Sequence, residues 1–433
     1  MRAAGWTMTS DPSPSECFVY IVLPGMVEPV TAGRFQLQSD RHGTQVGRFV
    51  YGRSYLERVN AVALDPVELR LTPRTYETVA LNGVFGALRD AGPDYWGRRV
   101  IEKHAGKPQL GELDYLLQAA DDSAGALGFG LNQQPPAPCR IFNQTVALEK
   151  LQRIADALIA EEDLPDDEAN AQIQELMLLG TSMGGARPKV VVEDDDALWI
   201  AKFNRKDDRW NNARVEHAML VLARNCGLNV ADSKIVNAGG RDVLMVRRFD
   251  RERKEHGYAR ARMVSALTLL RTEDSHRSRE RWSYLLLVEE LRRACAEPVK
   301  NAHELFQRMC FNALISNTDD HPRNHAVIAR DQDWKLSPAY DLTPSTPVSI
   351  ERRDLALVVG DAGRSANAAN LLSQSARFLL ESDQAEAIVK EMEERVRTIW
   401  YATARTEGVS ERDCELIQGA FAYPGFRMRP ESN

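Results

Sequence analysis

The stretch Leu198-Trp199-Ile200-Ala201-Lys202-Phe203 sets a lysine in the middle of an apolar run that reads as a β-strand. A lone buried ammonium is strongly unfavourable. A fold that keeps Lys202 inside such a strand must therefore bring an anion to it, from another part of the chain or from a ligand. The bland alternative is an edge lysine that reaches back to solvent.

The neighbours of that strand narrow the choice. Upstream, "LLGTSMGGARPKVVVEDDD" (178–196) reads as a Gly/Ser turn, a strand and an acidic hairpin. Glycines beside Ser182 let backbone N–H groups approach a phosphate, because no Cβ stands in the way. Gly180 to Gly185 has the spacing of a Walker A loop but is followed by Ala186-Arg187 rather than Lys-Ser/Thr, and no G-x-G-x-x-G occurs. Downstream, "WNNARVEHAMLVLARNCGLNVA" predicts a helix whose apolar face carries Val215, Met219, Leu222 and Ala223 and which stops at Gly227. Glu216 lies beside that face and is the candidate anion for Lys202. The next segment, "DVLMVRRFDRE", runs from apolar to charged, as a hinge whose backbone meets an adenine edge would. Its basic residues alternate with acids, so it is close to neutral as a nucleic-acid patch.

A second dense segment, "SNTDDHPRNH" (316–325), holds two carboxylates, two imidazoles and two asparagine amides. A buried helix (304–316) precedes it; a strand, a turn, a short strand and Tyr340-Asp341-Leu342 follow. Asp319-x-x-x-x-Asn324 with Asp341 after a hairpin has the order of a kinase catalytic loop and its second metal site. Phosphoryl transfer needs a carboxylate to accept the proton of the attacking hydroxyl, and oxygen ligands for Mg²⁺ beside the triphosphate. Asp319 is then the base and Asn324 and Asp341 the metal ligands, with His321 positioning the loop or the phosphates. The rival reading takes Asp319, Asp320, His321 and His325 as ligands of zinc or manganese; it has no HExxH pattern and leaves Lys202 unexplained. A polar turn without chemistry is the third reading.

At 433 residues the chain is long for one core, and its six cysteines are scattered without a CxxC pair, which argues against a disulfide framework and fits a reducing cytoplasm. No run of about 18 apolar residues occurs, so no membrane span is expected. Residues 1–16 read as a disordered leader. Short strand-like segments, "CFVYIVLP", "AGRFQLQ", "VGRFVYG" and "VELRL", form a β-rich module over 17–132, joined to the helical stretches "VFGALRDAGPDYWGRRVIEKHAG" and "ELDYLLQAA". The proline-rich "LNQQPPAPCR" marks a linker. An amphipathic helix with Val146, Leu148, Leu151 and Ile154 on one face opens a second unit, 140–265, and 266–433 makes the last.

"TSMGGARPK", "WIAKF", "VRRFDR", "TDDHPRN" and "YDL" together resemble the phosphate loop, ATP lysine, hinge, catalytic loop and metal site of the HipA family of toxin-antitoxin serine/threonine kinases. "GRFVYG", "RRVIE" and "GALGF" look like its β-rich N-terminal subdomain. The resemblance implies an α+β, two-lobed protein-kinase-like fold with an all-helical C-terminal lobe, and ATP and Mg²⁺ as cofactors. It places Gly184, Gly185, Ala186, Arg187, Lys189, Lys202, Arg247, Phe249, His321, Asn324 and Asp341 around the nucleotide. It implies autophosphorylation of Ser182, a HipB-like helix-turn-helix antitoxin, DNA bound through that antitoxin, and a protein substrate such as an aminoacyl-tRNA synthetase, typically the glutamyl enzyme. The chain departs from the family at Arg247, where a hinge glutamate is expected, and in lacking a "PQEDxxQ"-like motif before the catalytic loop. A non-catalytic corepressor of a helix-turn-helix protein and a small-molecule kinase are the alternatives.

Overall fold

The computed structural model describes residues 15–119, 123–138, 142–159, 187–195, 197–346 and 348–427. The N-terminal module is a five-stranded antiparallel sheet in the order β4-β3-β2-β1-β5, built from β1 (Glu16–Val22), β2 (Pro29–Ser39), β3 (Gln45–Tyr51), β4 (Thr75–Thr78) and β5 (Leu127–Gly130). Val19, Ile21, Phe35, Phe49 and Tyr51 are buried on one face, as the period-two pleat requires. β1 takes in Glu16, the last residue of the expected leader. At Gly47 a Cβ would lie 1.7 Å from the Gly83 carbonyl oxygen, so only glycine allows the close approach of that loop.

The expected strand "VELRL" does not form. The buried Asp65 carboxylate accepts the backbone N–H groups of Val67 (2.7 Å), Glu68 (2.6 Å) and Leu69 (3.2 Å). The amides a ladder would use are thereby turned inward, an Asx-type capture that competes with strand pairing. The fourth strand is instead Thr75–Thr78. A further departure has a local cause. The helical stretch 84–106 is broken at Gly92-Pro93 into α2 (Gly86–Ala91) and α3 (Tyr95–Ala105), after the short α1 (Arg53–Leu56), because proline cannot continue a helix. Asp94 then caps α3 by accepting from Gly97 N at 2.7 Å.

After α4 (Glu112–Leu117) and α5 (Leu148–Ile159), a second sheet runs in the order β6-β7-β8-β10-β9: β6 (Asn143–Gln144), β7 (Lys189–Asp194), β8 (Ala197–Phe203), β9 (Ser233–Ala238) and β10 (Arg241–Arg247). Alternation sorts its faces. Val190, Val192, Ala201, Phe203, Val243 and Met245 pack with Leu148, Leu151 and Ile154 of α5 and with Trp96 and Val100 of α3. Lys189, Lys202 and Leu244 stand side by side in register on the other face, where α6 (Asn212–Asn225) packs.

The C-terminal region is helical: α7 (Ala266–Leu270), α8 (Tyr284–Ala294), α9 (Pro298–Leu314), α10 (Ala368–Ser373), α11 (Ser382–Thr406) and α12 (Glu411–Ile417). A hairpin, β11 (Arg251–Lys254) with β12 (Gly257–Arg260), leads into it. A three-stranded sheet of β13 (Arg262–Ser265), β14 (Ala326–Ala329) and β15 (Lys335–Leu336) then frames the segment 315–325. Among the described residues no helix is long and apolar enough to cross a membrane.

Candidate active site

The anion that Lys202 requires is present twice. Its Nζ lies 2.6 Å from Glu216 Oε1 on α6 and 2.5 Å from Asp341 Oδ1. Burial works against the ammonium, but Asp341 and Glu216 outweigh it and hold the Lys202 pKa above the ordinary lysine value. Burial raises the Glu216 carboxyl against the pull of Lys202. In Asp341 burial is outweighed by Lys202, and the carboxyl stays below its usual range. Asp341 sits at φ +60°, a left-handed conformation uncommon outside glycine.

Two adjacent aspartates have opposite environments. Asp319 is exposed on the cleft; loss of water in its crowded surroundings raises its pKa, with His321 working the other way and Asp341 and Asp320 adding repulsion. Asp320 is 1% exposed and points beneath the loop. It accepts from the Tyr284 hydroxyl and meets His325 Nε2 at 2.8 Å, while Asn312 Nδ2 donates to the Tyr284 oxygen at 3.2 Å. Asn317 Nδ2 reaches Asn312 Oδ1 (3.1 Å) and the carbonyl of Asp341 (3.5 Å). This buried web ties α9, the loop and the backbone of Asp341 into one unit. It also removes Asp320 and His325 from the zinc reading, and among the described residues no group of three His, Cys, Asp or Glu side chains is arranged to hold a metal ion.

One cavity is lined by Lys202, Glu216, Asp319, His321, Asn324 and Asp341 together with Arg187, Arg205 and Arg323. An adjoining slot runs from Lys202, Asn324 and Asp341 to Ile200, Val246, Phe249, Met263 and Tyr340. The Phe249 and Tyr340 rings are 5.7 Å apart and tilted by 34°. A flat heterocycle suits the apolar end and a polyanion the basic end. The N-terminal module closes part of this slot through Asp90 and Ala124. It is bound to the hinge by Arg248, which donates to the Ser123 carbonyl (3.0 Å), and Arg251, which donates to that of Gly125 (2.8 Å). The Asp250 carboxylate accepts from Gly125 N at 2.9 Å. Burial would raise the Asp250 carboxyl, but Arg248 and Arg251 overcome it and hold it well below the usual carboxylate range.

Two family models match the chain: the HipA-like C-terminal domain over residues 181–400 and the HipA N-terminal domain over 27–130. The chain belongs to the HipA family. It is 26% identical over 324 residues to Y4mE of Sinorhizobium fredii, a protein provisionally named as a kinase, covering 71% of this chain and 74% of that one. It is also 26% identical over 284 residues to the serine/threonine-protein kinase toxin HipA of Shewanella oneidensis, covering 59% of this chain and 65% of that protein. In the solved complex of Shewanella oneidensis HipA, HipB and operator DNA, one chain superposes with a TM-score of 0.69 at 18% identity, over 93% of this chain and 94% of that one. The fold is therefore the α+β, HipA-like one, with a β-rich N-terminal region and a helical C-terminal region.

Of the residues that the HipA resemblance assigns to the nucleotide, Lys202, His321, Asn324 and Asp341 meet at one end of the slot, and Arg247 and Phe249 line its other end. Arg187 lines the cavity but is held in a two-pronged pair with Asp208, at 2.9 and 2.8 Å. Lys189 lines it too, with its ammonium 2.8 Å from Asp94. Ser182, Gly184, Gly185 and Ala186 lie outside the described residues. Sequence reasoning missed the Tyr284–Asp320–His325 web and the contribution of Asp90 and Ala124. The alternation of signs in Arg248-Phe249-Asp250-Arg251, read only as neutral, was the available signal for the hinge clamp.

Proposed function

We propose that the chain is an ATP- and Mg²⁺-dependent serine/threonine kinase of the HipA type. The observation that carries this reading is the convergence of Lys202, Glu216, Asp319, Asn324 and Asp341 on one cavity at the end of an apolar slot. Lys202, oriented by Glu216, binds the polyphosphate. Asp319 accepts the proton of the attacking hydroxyl, and its raised pKa makes it a stronger base than an ordinary carboxylate. Asn324 and Asp341 offer one amide and one carboxylate oxygen, hard donors too few to cage an ion, which suits Mg²⁺ completing its shell with phosphate and water. When bound, that ion offsets the charge of the triphosphate. His321, whose Nδ1 is buried without a hydrogen-bond partner among the described residues, steadies the phosphates.

In this reading Ser182 is an autophosphorylation site on a phosphate loop that includes Gly184, Gly185 and Ala186. Residues 17–132, 140–265 and 266–433 act as N-terminal subdomain, N-lobe and C-terminal lobe in a cytoplasmic enzyme. A HipB-like antitoxin, DNA through that antitoxin, and an aminoacyl-tRNA synthetase as substrate are carried from the family. Incubation with labelled ATP and Mg²⁺, followed by mass spectrometry, tests the activity: label on Ser182 or a protein substrate, absent in Asp319→Ala, is expected. No label with the unmodified chain would remove the kinase assignment.

A further inference from the structure

A second cleft opens on the far side of Asp319. It shares Asp274, Asp319 and His321 with the nucleotide cavity, and Arg279, Trp282, Asp354, Leu355, Ala356 and Arg364 are among its other walls. Asp319 thus stands on the boundary between two cavities. A base that takes a proton from an acceptor while facing a phosphoryl donor needs this arrangement, since the reacting oxygens must meet from opposite sides.

The walls have a definite chemistry. Trp282 is buried with its Nε1 donating to the Glu273 carbonyl at 3.2 Å, so its ring is held rigidly. The Arg279 guanidinium lies over that ring, 5.5 Å from its centroid, and among the described residues Arg279 makes no ion pair. The acids at this end are already engaged. Asp274 is 3.2 Å from Arg323, and Asp354 is 3.1 Å from Arg352, with Arg364 farther off at 4.0 Å. With Asp319 facing the hydroxyl, Arg279 lines the cleft as a cation without an ion pair among the described residues, and Arg364 has only its long contact with Asp354. Leu355 and Ala356 add an apolar wall.

We infer that this cleft is the acceptor site, and that it takes a polypeptide segment whose Ser or Thr is flanked by an acidic side chain, held by Arg279 and Arg364 beside Trp282. The inference rests on the kinase reading above. The acceptor oxygen gives its proton to Asp319 and forms the new bond to phosphorus, while the bond from phosphorus to the bridging oxygen of ATP breaks and ADP leaves.

A positional-scanning peptide library with Ser or Thr fixed, labelled by the full chain with ATP and Mg²⁺, tests the proposal. The expected result is a preference for Asp or Glu near the acceptor. Arg279→Ala and Arg364→Ala should each raise KM for the best acidic peptide about tenfold with a smaller change in kcat, the loss of one charge-assisted contact. Arg279→Glu should turn the preference toward basic residues, and a Mg-ATP-induced rise in Tm in that variant shows that it is folded. Labelling without an acidic preference, or a preference unchanged in Arg279→Glu, overturns the acceptor proposal alone. If no peptide is labelled but Ser182 is, the peptide acceptor falls and the kinase assignment stands. If neither is labelled, both fall.

Discussion

Lys189 and Lys202 face each other across neighbouring strands, on the same side of one sheet, and each has a carboxylate within 2.8 Å. Their surroundings separate them. The Lys189–Asp94 pair lies in the wall of the same cavity but is buried, with side chains 2% and 3% exposed, and joins the second sheet to the capped start of α3 in the N-terminal module. Lys202 keeps Glu216 buried behind it, but its other partner, Asp341, is 34% exposed at the cavity. A pair buried on both sides serves first to hold two segments together. A pair with one open partner can exchange that partner for a phosphate, so in the proposed kinase the same chemistry would serve architecture at one site and ligand binding at the other.

The largest effect expected is at the open pair. Lys202→Met should lower phosphotransfer by about 10³–10⁵-fold, as removal of a phosphate-binding cation does in this class of reaction, and a single-turnover assay reads it. Equal loss of activity in Lys189→Met, measured per folded molecule, would break the comparison.

At the sealed pair the effect should fall on stability. Lys189→Met leaves the Asp94 carboxylate buried without this cation and should cost about 3–5 kcal/mol in denaturant unfolding. Adding Asp94→Asn, which keeps an oxygen for the cap on Gly97, should restore much of that loss. A double mutant no more stable than Lys189→Met would show that the pair does not act as a unit.

Beneath the loop, Tyr284→Phe removes the hydroxyl that joins Asp320 to Asn312 and should cost about 1–3 kcal/mol, because both partners stay buried. Activity should fall with it if the web positions Asp319 and Asp341. Full activity in a destabilised Tyr284→Phe protein would limit the web to folding.

The smallest effects expected are in pH dependence. Because the Asp319 pKa is raised, the acid limb of kcat/KM should lie above the ordinary carboxylate range, with activity growing as pH rises through it. For stability the sign is opposite. A carboxyl that holds its proton more tightly when folded favours folding below its unfolded pKa, and that contribution is lost as pH rises through the folded value. Asp319→Asn should therefore be inactive yet slightly more stable at neutral pH, with the gain vanishing in acid. Thermal melts across pH check this.

Most of the site could be read in the sequence because its parts are local. A lysine in an apolar strand, an Asp-x-x-x-x-Asn spacing and a following Asp each leave a mark within a few residues. The strand "VELRL" failed for the opposite reason: pairing preference was visible, but the competing capture of its amides by Asp65 was not. Lys189 illustrates the same limit, since the partner that seals it comes from position 94.

The sequence by itself determined which residue types were available, in what order, and which strands and helices would carry them. Period-two and period-3.6 burial and the cost of a lone buried charge act over short stretches. Only the tertiary structure decided that Asp319 faces the cleft while Asp320 is buried, that Lys202 has a half-open partner while Lys189 has a buried one, and that Ala124 and Asp90 line the apolar slot. Those distinctions depend on which other segments exclude water from a side chain, and that is set by packing between residues such as 94 and 189 or 202 and 341, which are 95 and 139 residues apart in the chain.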